Sequence, residues 1–331
     1  MKVDFVDVIV GLQWGDEGKG KISSALAKKY DIVCRFNGGP NAGHTVYIHG
    51  NKYKTHIIPC GIFHNRLSVI GPNCVLNLDK FYQEVDYLKN NGFDIDLIKV
   101  SPRAHLITND HIDYDINFLK KDLGTTGQGI APAYADKMLR KGKQAKDFID
   151  KKFLWNECLY GKVLCEGAQS FWLDINFGHY PFVTSSETLP YAACSLGFSP
   201  KLINNIIGIA KIYDTKSGVD PLFPEKLFED PELNLIIEAG QEYGTTTGRK
   251  RLVNWLNLSK LVDSVRVSGC TELIINKCDI LDQINRFKLY FNNEIIIFSS
   301  SLDMQSFIRE RILDQTENLK KITFSGHKTL I

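Results

Sequence analysis

The run Phe5-Val-Asp-Val-Ile-Val10, followed at once by Gly11-Leu-Gln-Trp-Gly-Asp-Glu-Gly-Lys-Gly-Lys21, constrains this chain more than any other stretch. An apolar run of that length ending on glycine predicts a buried strand, and the residues from about 20 to 29 predict the helix that follows it. The turn between them carries four glycines, two lysines and an Asp/Glu pair, which makes a phosphate cradle with its own acid/base group. Glycines let backbone N–H groups converge on an anion, the helix N-terminus adds partial positive charge, and lysines neutralise phosphate oxygens. Gly15, Gly20 and Lys21 keep the spacing of a P-loop, but Ile22 stands where that motif has a magnesium-binding Ser or Thr. The metal ligand must therefore come from elsewhere, and Asp16 inside the loop is the candidate.

Similar alternations continue along the chain. Strands are expected at Ile32 to Phe36, Leu67 to Ile70, Leu97 to Val100, Lys162 to Cys165, Ile206 to Ile212 and Glu272 to Asn276, with an amphipathic helix over Asp79 to Asn90 ending at Asn91-Gly92. This predicts an α/β fold: a largely parallel central sheet flanked by helices, with a P-loop-NTPase-like nucleotide site at the carboxyl ends of the strands. With no repeat, low-complexity stretch or Pro/Ser linker, residues 1–331 are expected to form one domain with insertions. The Lys-rich segment 141–160 is expected to be helix-like and peripheral.

Composition removes several classes of function. A 44% hydrophobic and 24% charged chain with net charge +2 and no block of like charge offers no nucleic-acid surface. Apolar runs fall short of the roughly 18 residues of a membrane helix, and Met-Lys-Val-Asp leads into a strand pattern rather than a signal peptide, so a cytoplasmic protein with no membrane partner is expected. The eight cysteines are scattered without a CxxC pair, and the eight histidines lack HExxH spacing, so reduced structural thiols are expected rather than disulfides or zinc.

Five further clusters carry chemistry. Arg35-Phe-Asn-Gly-Gly-Pro-Asn-Ala-Gly-His-Thr45 frees the backbone with glycine and adds an amide, a hydroxyl and an imidazole, His44, able to donate to a developing negative charge or pass a proton. Gly124-Thr-Thr-Gly-Gln-Gly-Ile-Ala-Pro-Ala-Tyr-Ala-Asp-Lys137, with Arg140 one turn on, suits an anion, although helix capping explains Thr125 or Thr126 equally well. Glu166-Gly-Ala-Gln-Ser170 and Thr184-Ser-Ser186 suit a neutral polar ligand such as a purine. Gly244-Thr-Thr-Thr-Gly-Arg-Lys-Arg251 sets three hydroxyls before three cations, implying a dicarboxylate or phosphate. Asn276-Lys-Cys-Asp279, at a strand end, has the form that reads guanine in GTP-binding proteins: the carboxylate accepts from N1–H and the exocyclic amine. Adenine would leave Asp279 unpaired, a discrimination of roughly 10⁴-fold for a site built on such a bond.

Taken in order, GLQWGDEGKGKI, GGPNAGHT, HIIPCGI, GTTGQGIAPAYADK, EGAQSFWLDI with YPFVTSS, GTTTGRKR and NKCD closely resemble the adenylosuccinate synthetase family. The resemblance implies a ligase that makes adenylosuccinate from IMP, L-aspartate and GTP, with one Mg²⁺ per subunit, releasing GDP and phosphate. It implies Asp16 as the general base that takes the proton from N1 of IMP, His44 as the acid, and Mg²⁺ held by Asp16 and the carbonyl of Gly43. GTP falls to Gly15, Glu17, Gly18, Lys19, Gly20, Lys21, Thr45, Lys277, Cys278, Asp279 and Arg251. IMP falls to Asn41, Ala42, Thr126, Gln169, Thr184 and Arg249, with Arg140 reaching in across a homodimer. Aspartate falls to Thr245, Thr246, Thr247, Gly248, Arg249 and Arg251.

The chain departs from many members of that family by being shorter, mainly between Arg140 and Glu166, and by having Pro40 where His is usual. Phe324-Ser-Gly-His327 is the candidate counterpart of the element that covers guanine elsewhere in the family. Two alternatives define the tests. A phage-type relative that aminates dGMP typically lacks the catalytic Asp of the first motif, whereas Asp16 and Asp279 are both present. A non-catalytic GTP-binding module needs only the phosphate loop and NKCD, and leaves Gln169, Thr184, Arg249 and Arg251 without a purpose.

Overall fold

The computed structural model describes residues 2–223, 230–243, 248 and 250–326. Its centre is an eight-stranded sheet in the order Lys321–Phe324, Glu272–Asn276, Ile203–Lys211, Val3–Gly11, Gly161–Glu166, Ile32–Arg35, Leu67–Ile70 and Ile98–Val100. Every neighbouring pair is parallel. Strands covered on both faces can be apolar at successive positions, and Val8-Ile-Val10 are all buried. Alternate residues serve opposite layers because strand side chains point to alternate faces. Ile9, Val33, Leu164, Ile209 and Ile274 pack with Ile22 and Ala27 of the Lys19–Ala27 helix. Val8, Val10, Cys165, Ala210 and Ile275 belong to the larger cluster on the other side, which includes Leu261, Val262 and Val265 of the Leu258–Ser268 helix and Met304, Ile308 and Ile312 of the Ser301–Asp314 helix.

The Leu78–Asn90 helix begins where Asn77 accepts from Lys80 N at 2.9 Å and buries Phe81, Glu84, Val85 and Leu88, a stripe at helical spacing. The expected strands are present, Leu67–Ile70 and Glu272–Asn276 with the expected bounds and the others shifted at their ends by one to three residues. The expected helix over 141–160 is not: the segment has two short 3₁₀ turns, Ala145–Asp147 and Lys151–Phe153. Nor is it peripheral. Ala145, Ile149 and Phe153 are buried with Phe81, Val85 and Val100, and Trp155 N donates to Val100 O at 2.8 Å. Its lysines point outward while every few residues an apolar side chain is drawn inward, a pattern that extended chain satisfies as well as a helix.

Smaller sheets surround the main one. Tyr213–Lys216, Leu252–Asn257, Lys288–Phe291 and Glu294–Ile297 form a second, mixed sheet, and His44–Ile48 pairs with Asn51–Thr55 as a hairpin. None of these was legible as a strand, since each is short or alternates polar residues. Among the described residues no helix is long and apolar enough to cross a membrane, and all eight cysteines are free.

Glu84 sets a pH dependence. Burial lifts its carboxyl from the usual 4.5 to about 7, against the N–H groups of Ile58, His56 and Ile57 that favour the anion. Between these values the folded protein keeps a proton that the unfolded chain has lost, so this stabilisation is complete below pH 4.5 and disappears as pH rises through 7. Glu84→Gln cannot ionise. Its stability relative to the parent, measured by urea unfolding, should improve by up to about 3 kcal/mol from pH 4.5 to pH 8; a difference independent of pH would contradict this.

Candidate active site

The functional loops leave the carboxyl ends of the parallel strands. After Gly11 the chain turns through Gly15 (φ 98°), Asp16 (φ 61°) and Gly18 (φ 89°) into the Lys19–Ala27 helix. No described side chain caps that helix, and Gly20 must be glycine because a Cβ there would lie 2.7 Å from the Cβ of His44. The Glu17 carboxylate turns back into the loop. It accepts from Gly15 N at 2.8 Å and Gln13 N at 3.3 Å and pairs with Lys19 Nζ at 2.7 Å, so the N–H groups and ammonium of the cradle already converge on an anion. Two buried amides, one within the loop and one outside it, tie the loop to its neighbours. Gln13 Nε2 donates to Lys211 O and Asp214 Oδ1, and its Oε1 accepts from Lys211 N at 2.7 Å. Asn276 Nδ2 donates to Glu17 O at 2.8 Å, so the first residue of the NKCD element clasps the phosphate loop.

A second knot lies beneath His44. Arg35 and Glu166 end neighbouring strands in register, with Nη2 and Oε1 3.1 Å apart and both side chains fully buried. The other Glu166 oxygen accepts from Ser23 Oγ and from Cys60 N at 3.3 Å. Burial favours the protonated acid, but the Arg35 guanidinium and the Ser23 hydroxyl favour the anion, and Glu166 stays well below the usual carboxylate range. His44 is shifted downward by burial and by Arg35, against the pull of Glu166, so its imidazole is neutral at pH 7. His44 Nδ1 faces Arg35 Nη2 at 3.2 Å, Cys60 Sγ at 3.4 Å and Glu166 Oε1 at 3.4 Å, so the ring is held by the same buried pair that sets its charge.

The third knot joins the remaining loops. Arg251 spans two carboxylates, with Nε 2.8 Å from Asp16 Oδ2 and Nη1 2.5 Å from Glu242 Oε2. Lys277 Nζ donates to Gly240 O at 2.8 Å and Glu242 Oε1 at 2.7 Å. Asp16 keeps about a third of its side-chain exposure; Ser217 Oγ also donates to its Oδ2. Lys21 Nζ reaches Ser325 Oγ and Gly326 O, and its ammonium, disfavoured by burial, is supported by Asp279. Segment 324–326 therefore lies against NKCD, with Cys278 N donating to Ser325 O.

A profile of the family described as adenylosuccinate synthetase matches residues 8–160 and 158–296. The chain belongs to the adenylosuccinate synthetase family. The adenylosuccinate synthetase of Clostridium kluyveri is 40% identical over 353 residues, covering 87% of this chain and 82% of that protein. That of Phocaeicola vulgatus is 39% identical over 339 residues, covering 86% and 80%. Among solved structures, fully ligated adenylosuccinate synthetase from Plasmodium falciparum aligns with a TM-score of 0.78 at 29% identity, over 90% of this chain and 84% of that one. Cyanophage S-2L succinoaminodeoxyadenylate synthetase bound to dGMP and dATP, 19% identical with a TM-score of 0.71 over 93% of this chain and 99% of that one, shares the fold.

The other residues expected from the adenylosuccinate synthetase family fall as follows. Asn41, Ala42, Gly43 and Thr45 are half-buried on the segment that runs into the hairpin. Buried polar atoms without a partner mark places for a polar ligand: Asn41 Oδ1 and both amide atoms of Gln169 are such atoms. Thr126 and Thr184 are half-buried, and Thr125 Oγ1 donates to Asp115 Oδ1 at 2.5 Å; neither Thr125 nor Thr126 has the expected helix-capping role, since the Ile130–Met138 helix starts after Gly129 without a side-chain cap. Arg140 is exposed at the end of the Ile130–Met138 helix, and Gly248 is exposed. Thr245, Thr246, Thr247 and Arg249, like His327, lie outside the described residues. Reasoning from sequence gave no role to Gln13, Arg35 and Glu166, although they stand in the quoted clusters, and did not single out Lys211 or Glu242. The Arg35–Glu166 pair carried a signal, opposite charges closing the apolar runs Ile-Val-Cys-Arg35 and Val-Leu-Cys-Glu166.

His44, Cys60 and Glu166 each bring one potential ligand atom within 4.8 Å of the others. Imidazole and thiol are softer than the oxygen shell Mg²⁺ takes, and Glu166 is occupied by Arg35 and Ser23. Arg35→Met should cost about 3–5 kcal/mol in urea unfolding by stranding Glu166 in the interior, and Arg35→Met/Glu166→Gln should recover part of the loss. Equal loss in both would refute the pairing.

Proposed function

We propose that this chain is a GTP-dependent ligase that joins IMP and L-aspartate into adenylosuccinate with release of GDP and phosphate. The observation that carries the reading is the convergence on one loop end of the glycine cradle, Asp16, the Arg251 that pairs with it and the Asn276 that clasps it. Family membership gives this convergence its substrates.

The chemistry follows from the residues. The 6-oxygen of IMP is a poor leaving group, so it must first be phosphorylated. Asp16 takes the N1 proton, the 6-oxygen attacks the γ-phosphorus of GTP and GDP leaves. The amine of aspartate then attacks C6, the bond from C6 to the 6-oxygen breaks, and phosphate leaves with that oxygen and the proton the amine gives up. His44, a neutral imidazole at pH 7, donates its ring N–H to the charge that develops during transfer. Lys19 and the backbone of Gly15, Glu17, Gly18, Gly20 and Lys21, with Thr45, hold phosphates in line. Lys277, Cys278 and Asp279 hold guanine. Asn41, Ala42, Thr126, Gln169, Thr184 and Arg249 hold IMP, while Thr245, Thr246, Thr247, Gly248, Arg249 and Arg251 take aspartate, Arg251 also facing GTP. A hard oxygen set suits Mg²⁺, and Asp16 with the Gly43 carbonyl supplies it; the ion would neutralise phosphate charge.

Arg140 serves the neighbouring subunit of a homodimer. Its exposure beside Met138 and Leu139, 72% and 61% exposed, supports an interface there. Eight free cysteines support a reducing, cytoplasmic setting.

Phosphate release measured with each component omitted in turn should require GTP, IMP and L-aspartate together. Release with ATP and dGMP would instead indicate the phage-type reaction. Asp16→Asn should lower the rate by about 10²- to 10⁴-fold, and near-normal turnover would remove its role as base. Mixing Asp16→Asn with Arg140→Leu should restore up to about a quarter of parental activity, through mixed dimers with one intact site. No restoration would place Arg140 in its own subunit's site.

A further inference from the structure

Glu242 is fully buried and belongs to none of the ligand-binding assignments, yet it gathers four donors. Its Oε1 accepts from Tyr213 OH at 2.7 Å and Lys277 Nζ at 2.7 Å; its Oε2 accepts from Arg251 Nη1 at 2.5 Å; Lys211 Nζ reaches both oxygens, at 3.3 and 3.1 Å. Lys211 also carries the backbone N–H that holds Gln13, and Lys277 stands in the NKCD element. Arg251 holds Asp16 with the edge of its guanidinium that Glu242 leaves open.

One carboxylate thus compensates three cations that serve different parts of the site. Burial alone would neutralise it, but Lys211, Lys277 and Arg251 hold it well below the usual carboxylate range. Without its charge, the two lysines would repel each other and Arg251 would lose the contact that fixes its angle toward Asp16. The first effect reaches the base-reading element, the second the reacting carboxylate.

We infer that Glu242 is a positioning residue that sets Lys277 and Arg251 as one block, so that guanine recognition and the placement of Asp16 depend on the same buried charge. The inference rests on the GTP-dependent reading above. Glu242→Gln keeps the shape and removes the charge. Per folded molecule, checked by thermal melting and the active fraction, its affinity for GTP in calorimetry should fall by about tenfold or more, and kcat should fall by at least a similar factor. In a Lys277→Met background the further loss of GTP affinity should be smaller than in the parent, because part of the effect of Glu242 on GTP passes through Lys277 and the rest through Arg251. A purely structural role would lower the melting temperature while leaving affinity and kcat per folded molecule at parental values, and that result would overturn the inference.

If Glu242→Gln does not fold, Tyr213→Phe removes one donor without touching the charge. It should weaken GTP about threefold, and unchanged GTP affinity would equally overturn the inference. The parent separates the two failures. A parent that binds GTP but releases no phosphate refutes the ligase reading and leaves the calorimetric test of Glu242 intact; an active parent matched by both variants refutes the inference alone.

Discussion

Parallel pairing of the eight central strands is the constraint on which the rest depends. Strands that run in one direction end on one edge of the sheet, so the loops after Gly11, Arg35, Glu166, Lys211 and Asn276 have to meet there. The strand Val3–Gly11 lies inside the sheet, between Ile203–Lys211 and Gly161–Glu166, and its loop can be held from both sides. Gln13 reaches the former neighbour and Lys19 reaches Ser170 beyond the latter. Chemistry that needs two nucleotides and an amino acid at one point is served by elements widely separated in sequence because the topology returns each of them to the same edge.

Beside the Glu17–Lys19 pair of the loop itself, two buried carboxylates organise the charges at that edge. Glu166 is matched by Arg35 and supports a neutral His44, whereas Glu242 is matched by three cations and leaves a positive surplus beside Asp16. Buried ions require such matching, since each would otherwise lose its hydration without replacement. The balanced knot lies under the imidazole and the positive one beside Asp16.

Much of this was legible in the residues. Apolar runs ending in glycine or charge marked the central strands because doubly covered strands leave no room for polar alternation. The catalytic and phosphate-binding candidates stood out because glycine, lysine and carboxylate at that density have little structural reason to coincide. The second sheet escaped notice because strands such as Tyr213–Lys216 and Leu252–Asn257 mix polar and apolar residues and take their identity from their partners. Glu242 escaped for a related reason: a single glutamate before a glycine-rich loop carries no local mark of burial, and its importance comes from lysines 31 and 35 positions away. Segment 141–160 misled because lysine content signals helix and surface, while its apolar residues follow the shape of the sheet edge.

That segment has a consequence for the chain in solution. An outer strand presents a ladder of unpaired N–H and C=O groups on which another chain can template itself. Here Trp155 covers the carbonyl of Val100, and Leu154 forms a bridge to the same residue. At the opposite margin Arg309 turns its guanidinium onto Ile322 O. A lysine-studded stretch of irregular chain therefore works as a selvedge, finishing the weave where it would otherwise fray into contact with a second molecule.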